Sequence, residues 1–346
     1  MTNIRQAGVA FGLAVILVAS TADIVVASPR VMQTNLPEVT TVLTPTANFD
    51  PASASDADIA ANGLPPRPDK QVSPGAFAAW ERAVTSKAVR VLPVLRRTNI
   101  RHGLNRGRGV TDSTALSDNW SGYVLLNSVT SYSKSSFDVA MGNWVVPKAQ
   151  QAIGMCSGAT SYSSTWVGID GAGSSDVLQA GTEADAYCGG SITQPYYDAW
   201  YEWYPNNEVA ISNFAVSAGD DVYVQVWSTG ASTGHAYMID YTTEQTVNMS
   251  FSAPPGVSLV GNSAEWIVER PTVNGSLPAL TNYVQDFFSD AYVGDFAANI
   301  SQPGAAATGV TAVPFQMIGS STTDVISKPT LLGTNGIWFQ DGGSAY

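Results

Sequence analysis

Histidine is scarce in this chain: 346 residues carry two, His102 and His235. Cysteine is as rare, with Cys156 and Cys188 alone. A catalytic zinc centre takes about three protein ligands, and no His-Glu-x-x-His string occurs. A serine triad would have to draw on one of two imidazoles, and no nucleophile elbow is read in the chain. Neither Asp-Thr-Gly nor Asp-Ser-Gly is present, so a two-aspartate hydrolase is not expected. A carboxylate helped by a neutral side-chain amide remains available. Long apolar runs are also missing, except from Val9 to Ala19.

That run follows Arg5 and precedes the small-residue sites Ser20-Thr21-Ala22 and Val25-Val26-Ala27. The layout is that of a secretory signal peptide over 1–27, and a secreted, extracellular product is expected. The run falls short of the roughly 20 residues that span a bilayer. An uncleaved N-terminal anchor is the alternative; no membrane contact is expected of the mature form. In an exported chain, Cys156 and Cys188 read as one disulfide, with two free thiols as the alternative.

Positive charge is concentrated in one place. Residues 67–108 hold ten basic side chains against Asp69 and Glu81, a net +8. Residues 111–346 hold four basic against twenty-one acidic side chains, a net −17. Such asymmetry marks separate modules. A nucleic-acid tail conflicts with the secretory start, so an inhibitory prosegment over 28–110 is expected, paired with an acidic domain over 111–346. Residues 28–66, rich in Pro, Ala, Thr and Ser, read as a flexible leader. The spacing of 75–98 predicts a helix broken at Pro93. Gly107 and Gly109 lie in an exposed, cleavable linker. The mature chain is expected to start between Gly109 and Asn119. His102 then falls in the prosegment, and His235 is left as a structural or surface residue.

Beyond 117 the pattern is strand and turn. In Asp221–Trp227, Val222, Val224 and Val226 share one face, and Tyr223, Gln225 and Trp227 the other. The predicted class is all-β, a sandwich of two antiparallel sheets. Alternation also sorts three polar motifs. Trp166, Gly168 and Asp170 share a face opposite Val167 and Ile169. Val177, Gln179, Gly181 and Glu183 lie opposite Leu178, Ala180 and Thr182. Glu265, Ile267 and Glu269 lie opposite Trp266 and Val268. Six of the nine residues 196–204 are aromatic, and about half are expected to pack and half to line a cleft. Asn-x-Ser sites occur at Asn119, Asn248, Asn274 and Asn299.

Seven stretches resemble the glutamic peptidases (eqolisins), and in the family's order: NWSGYVL (119–125), GNWVVP (142–147), STWVGIDG (164–171), VLQAG (177–181), YDAWYEWYP (197–205), SAGD (217–220) and NSAEWIVE (262–269). The resemblance covers 117–270 well. It implies a lectin-like, concanavalin A-like jelly roll that cuts polypeptides in acid, with no cofactor and no metal. By the same resemblance, Glu265 is the base and Gln179 the oxyanion donor. Trp120, Trp166, Asp170, Glu183, Glu202 and Tyr204 would then line or support the cleft; the family's type member carries aspartate at position 183. The expected partners are polypeptide substrates and the chain's own prosegment, with no nucleic acid, and the expected state is a monomer. Two other readings stay open: a non-catalytic sugar-binding jelly roll, and a glycosidase using two carboxylates such as Glu202 and Glu265. An electrostatic prosegment latch further predicts lowered pKa values for the carboxylates that pair with it.

Overall fold

A computed structural model describes residues 30–43, 49–152, 156, 158–305 and 307–341. The predicted signal peptide lies outside these residues. Among the described residues, no helix is long and apolar enough to cross a membrane.

The chain after 117 forms two antiparallel layers, as the alternation predicts. In the cleft layer, Ile192–Trp203 pairs with Leu178–Gly189, which pairs with Ser164–Ile169. Ser263–Glu269, Trp120–Leu126 and Thr311–Ile318 follow in turn. The back layer runs Gln245–Ser252, Thr233–Asp240, Asp221–Gly230, Phe137–Val145, Gln285–Asp295 and Gly336–Asp341. The inward alternates of both layers build one core. Val167, Ile169, Leu178, Trp266 and Val268 meet Trp144, Val222, Val224, Val226 and Phe288. Two buried indoles bond across the gap: Trp144 Nε1 donates to Thr182 Oγ1 at 3.0 Å, and Trp266 Nε1 to the Met141 carbonyl at 2.8 Å. These bonds satisfy donors that apolar packing would strand. Cys156 and Cys188 are disulfide-bonded, with 5.1 Å between their Cα atoms.

The segment before 111 is folded onto this body, which corrects two expectations. Residues 28–66 do not form a flexible leader where they are described. Val39–Val42 pairs with Gln245–Ser252 at the edge of the back layer, and Asp56–Ala61 is a short helix capped by Ser55. Ile59 and Leu64 are buried under this cover. The predicted helix occupies Pro74–Val84, not the whole of 75–92. Ser73 caps it and Pro74 sits at its first position, where the missing N–H costs nothing. It stops at Thr85, because Val89–Arg90 and Leu95–Arg97 are taken up as strands by Gln245–Ser252 and Val209–Ile211. Phe77, Trp80 and Ala83 press on Tyr223, Trp227, Tyr237 and Tyr292 of the back layer. The outward aromatics of that layer are therefore a docking face for the helix.

Candidate active site

Four residues stand in one row across the cleft layer. Glu202 pairs with Gln179, Gln179 with Gly168, and Gly168 with Glu265. Directly paired residues share a face, so Gln179 and Glu265 flank a position with no side chain. A Cβ at Gly168 would lie 3.2 Å from Gln179 Cβ and 2.8 Å from the Trp166 ring. The missing side chain makes room for the edge of the Trp166 ring beside Gln179. Glu202 and Glu265 stand three strands apart, about 14 Å between backbones at ~4.8 Å per strand.

The row is fully buried, and the segment around His102 crosses it at Gln179 and Glu202. Ile100–Arg101 pairs with Thr272–Val273, and the chain then enters the cleft. Gln179 Nε2 donates to the His102 carbonyl at 2.7 Å, and the His102 amide donates to Glu202 Oε2 at 3.0 Å. Leaving the cleft, Gly103 N donates to Glu269 Oε1 at 3.2 Å, and Asn119 Nδ2 donates to the Leu104 carbonyl at 3.2 Å. The His102 ring stacks on Trp200 at 3.7 Å between centroids, 8° from parallel. Its Nε2 lies 3.0 Å from Glu183 and 3.1 Å from Glu208, and its Nδ1 lies 3.4 Å from Glu269. Of these three contacts, Glu208 alone has hydrogen-bond alignment; Glu183 and Glu269 act as neighbouring charges. His102, Glu183 and Glu208 also have the spacing of a small cation site.

Electrostatics follow from this burial. Desolvation alone would lower the His102 pKa. The Glu183 charge, with the close contacts to Glu208 and Glu269, outweighs it and holds the imidazole well above its usual value. Desolvation pushes Glu202 well up, against the opposing His102 charge. Glu183 is likewise pushed up, with His102 opposing. Asp198 is raised despite Arg96 beside it. The lowered values predicted for an electrostatic latch are thus reversed at these three carboxylates, because loss of water outweighs the added cation. Desolvation also drives Glu265 well up, with the Ser263 hydroxyl opposing and the Asp170 charge adding. Neither Glu265 oxygen has an aligned hydrogen-bond partner among the described residues.

The supporting residues sort by contact. Trp166 Nε1 donates to Glu269 Oε2 at 2.9 Å, and its ring meets Trp120 edge-on at 5.1 Å. Asp170 lies outside the row. Its carboxylate accepts from the Val260, Gly261 and Asn262 amides at 2.7–3.0 Å, which fixes the loop leading into Ser263–Glu269. Tyr204 sits near the crossing segment, with the Arg101 guanidinium 6.0 Å from its ring. Of the other aromatics in 196–204, Tyr201 and Trp203 join the core and Tyr196 is exposed.

Trp200, Glu208, Glu269 and His102 were not expected in the site. Glu269 shares a sequence face with Glu265, so its strand register carried a signal. Glu208 lies beyond the strand end and carried none. His235 is remote, on the back layer, where it stacks on Trp227 and bonds Ser250 at 2.8 Å and Thr229 at 3.2 Å. Burial lowers its pKa to about 4. Against the expectation that no nucleophile elbow exists, a Gly-x-Ser-x-Gly string occurs at Gly230–Gly234. It is a β-hairpin with Gly230 paired to Thr233, and a strand follows it where an elbow requires a helix. Ser232 is exposed there and is not bonded to His235.

The fold and site together define a two-layer β-sandwich whose cleft carries a carboxylate and an amide on either side of a glycine. The chain belongs to the peptidase A4 family, whose profile matches residues 118–328. It is 33% identical over 199 residues to aspergillopepsin-2 of Aspergillus niger, covering 52% of this chain and 66% of that protein. It is 34% identical over 155 residues to scytalidopepsin B of Scytalidium lignicola, covering 44% of this chain and 52% of that protein. The alignments therefore span less than two thirds of these relatives. The crystal structure of scytalido-glutamic peptidase with a transition state analog inhibitor superposes with a TM-score of 0.52 at 27% identity, over 65% of this chain and 98% of that one. These likenesses agree with the glutamic-peptidase resemblance of the motifs.

Proposed function

We propose that the protein is a secreted acid endopeptidase, made as a preproenzyme, that hydrolyses peptide bonds with Glu265 and Gln179. One observation carries the reading: Gln179 donates its amide to a peptide carbonyl, that of His102, in a chain lying across the cleft. A substrate carbonyl held the same way would place its oxygen on an amide that stays neutral and donating at low pH. Ionised Glu265 takes a proton from water, and the oxygen adds to the carbonyl carbon. The carbonyl electron pair moves to oxygen, where Gln179 stabilises it. Protonated Glu265 then gives its proton to the amide nitrogen, the C–N bond breaks, and a carboxylic acid and an amine leave.

The prosegment suppresses this chemistry by filling the space where substrate would lie; in the same closed state the fully buried Glu265 carboxyl keeps its proton and cannot act as a base. Processing between Gly109 and Asn119 would separate prosegment from domain.

The test is to secrete the full chain, acidify it, and incubate it with a denatured protein and, in parallel, a polysaccharide. New peptides from the wild type, and a loss of at least about 10³-fold in Glu265→Gln, are expected because base and acid fall on one group. Reducing sugars without peptides would replace this reading with a glycosidase. More than a tenth of wild-type activity in a folded Glu265→Gln would end the assignment of the base.

A further inference from the structure

We infer that the cage holding the His102 ring is a substrate pocket that selects a protonated imidazole on the acyl side of the scissile bond. The inference rests on the peptidase reading, since it takes Gln179 as the oxyanion donor. The residue whose carbonyl Gln179 holds is the one whose carbonyl would be attacked. In this structure that residue is His102, and its side chain therefore marks the pocket for the acyl-side residue.

The pocket is built for a flat cation. Trp200 supplies one wall, stacked at 3.7 Å on the ring, and its own Nε1 is fixed by a bond to Ser164 Oγ at 3.0 Å. Three carboxylates from three separate places surround the ring nitrogens: Glu183 on Leu178–Gly189, Glu208 before Val209–Ile211, and Glu269 on Ser263–Glu269. All three are buried. Glu269 is oriented by Trp166 and Asn119, so one face of the cage is held in place without the guest. Further carboxylates lie close. Asp185 adjoins Glu183, and Glu202 accepts from the backbone amide of His102. An apolar guest would leave these groups dry and unpaired, which costs more than an unmade contact. A phenyl ring can stack on Trp200 but offers no donor to Glu208.

The general cleft does not require this pocket. Gln179 and Glu265 act on any peptide carbonyl, whereas the cage acts on one side chain. Glu183 reaches the ring nitrogen at 3.0 Å.

The experiment uses the acid-activated full-chain product and two fluorogenic peptides that differ only in His or Phe before the cleaved bond. We expect kcat/KM for His to exceed that for Phe by about 10-fold or more at pH 4–5, the scale of a charge-assisted hydrogen bond. Glu208→Gln and, separately, Glu183→Gln should bring the ratio towards one. A peptide of residues 98–106 added to wild-type enzyme gives a readout without variants: replacing its histidine by Phe should weaken inhibition about 10-fold or more. Equal or faster cleavage after Phe overturns the inference and leaves the peptidase standing. So does a His preference untouched by both variants. Hydrolysis of neither peptide, nor of a denatured protein, overturns the peptidase reading itself.

Discussion

The side-chain amide of Gln179 donates to the main-chain carbonyl of His102 at 2.7 Å. One residue lies in the acidic sandwich and the other in the basic segment before it, 77 positions apart. On the proposed reading the same amide has two tasks, holding the prosegment and polarising a substrate carbonyl.

Gln179→Ala should therefore lower activity and loosen the prosegment together. Activity should fall about 10²–10³-fold, the range for one lost oxyanion donor. Affinity for a 67–108 peptide should fall by about 1 kcal/mol, the net worth of one hydrogen bond. Steady-state kinetics and a peptide titration measure both. Full activity in a folded Gln179→Ala would mean that another group holds the oxyanion.

Gly168→Ala tests the gap in the row. The added methyl would meet the Trp166 ring at 2.8 Å, with Val177 Cγ2 and Gln179 Cβ at 3.2 Å. Trp166 is held by Glu269 and packed on Trp120, so it cannot swing away cheaply. Overpacking of this kind costs about 1–3 kcal/mol, and a fall in Tm of roughly 3–10 °C is expected. Activity should drop further than stability explains, because Gln179 must shift. An unchanged Tm with full activity would show that the row has slack.

Trp80→Ala tests the back-layer dock. The indole is fully buried, and its Nε1 donates to the Pro65 carbonyl at 2.9 Å. Removing such a side chain costs about 3–5 kcal/mol. The change should lower the Tm of the unprocessed chain and leave the processed domain's activity unaltered. Equal Tm values by calorimetry would mean that the helix contributes nothing to holding the segment.

The sandwich could be read in the sequence because alternation is a local signal. Val222, Val224 and Val226 turn to the core, and so do Val167, Ile169, Trp266 and Val268. That Gln179 and Glu265 face the same side of the sheet was legible for the same reason. The leader was not, because Ile59 and Leu64 sit singly in a polar stretch and acquire meaning only against the distant aromatics of the back layer. Glu208 and Trp200 were missed because their roles arise where strands and a crossing segment meet, which no spacing encodes. Net charge also misdirected attention. Arg82–Asp221, Arg96–Asp198 and Arg108–Asp118 are partly exposed ion pairs, each worth about 1 kcal/mol or less. The buried contact is made by His102, which a charge count at pH 7 treats as neutral.

His102 should give the prosegment an upper pH limit. Its pKa in the closed form is well above the ordinary imidazole value, whereas in a free peptide it is about 6.5. A group whose pKa rises on closure contributes binding that is fully present below the free value, and that contribution is lost as pH rises through the bound value. Glu183 and Glu202, also raised in the closed form, act in the same direction: they favour closure when protonated and oppose it as they ionise. Affinity of the 67–108 peptide for the processed domain should therefore fall as the solution becomes alkaline. His102→Gln cannot take up the proton, so it should bind more weakly near pH 5 and flatten the alkaline fall. Screening should matter little to a contact this deeply buried, although the exposed arginine pairs weaken over a Debye length of about 10 Å at 0.1 M salt. Isothermal titration from pH 5 to 9 at two salt concentrations, with wild-type and His102→Gln peptides, separates the terms. Parallel pH curves for the two peptides would show that the buried imidazole does not carry the titration.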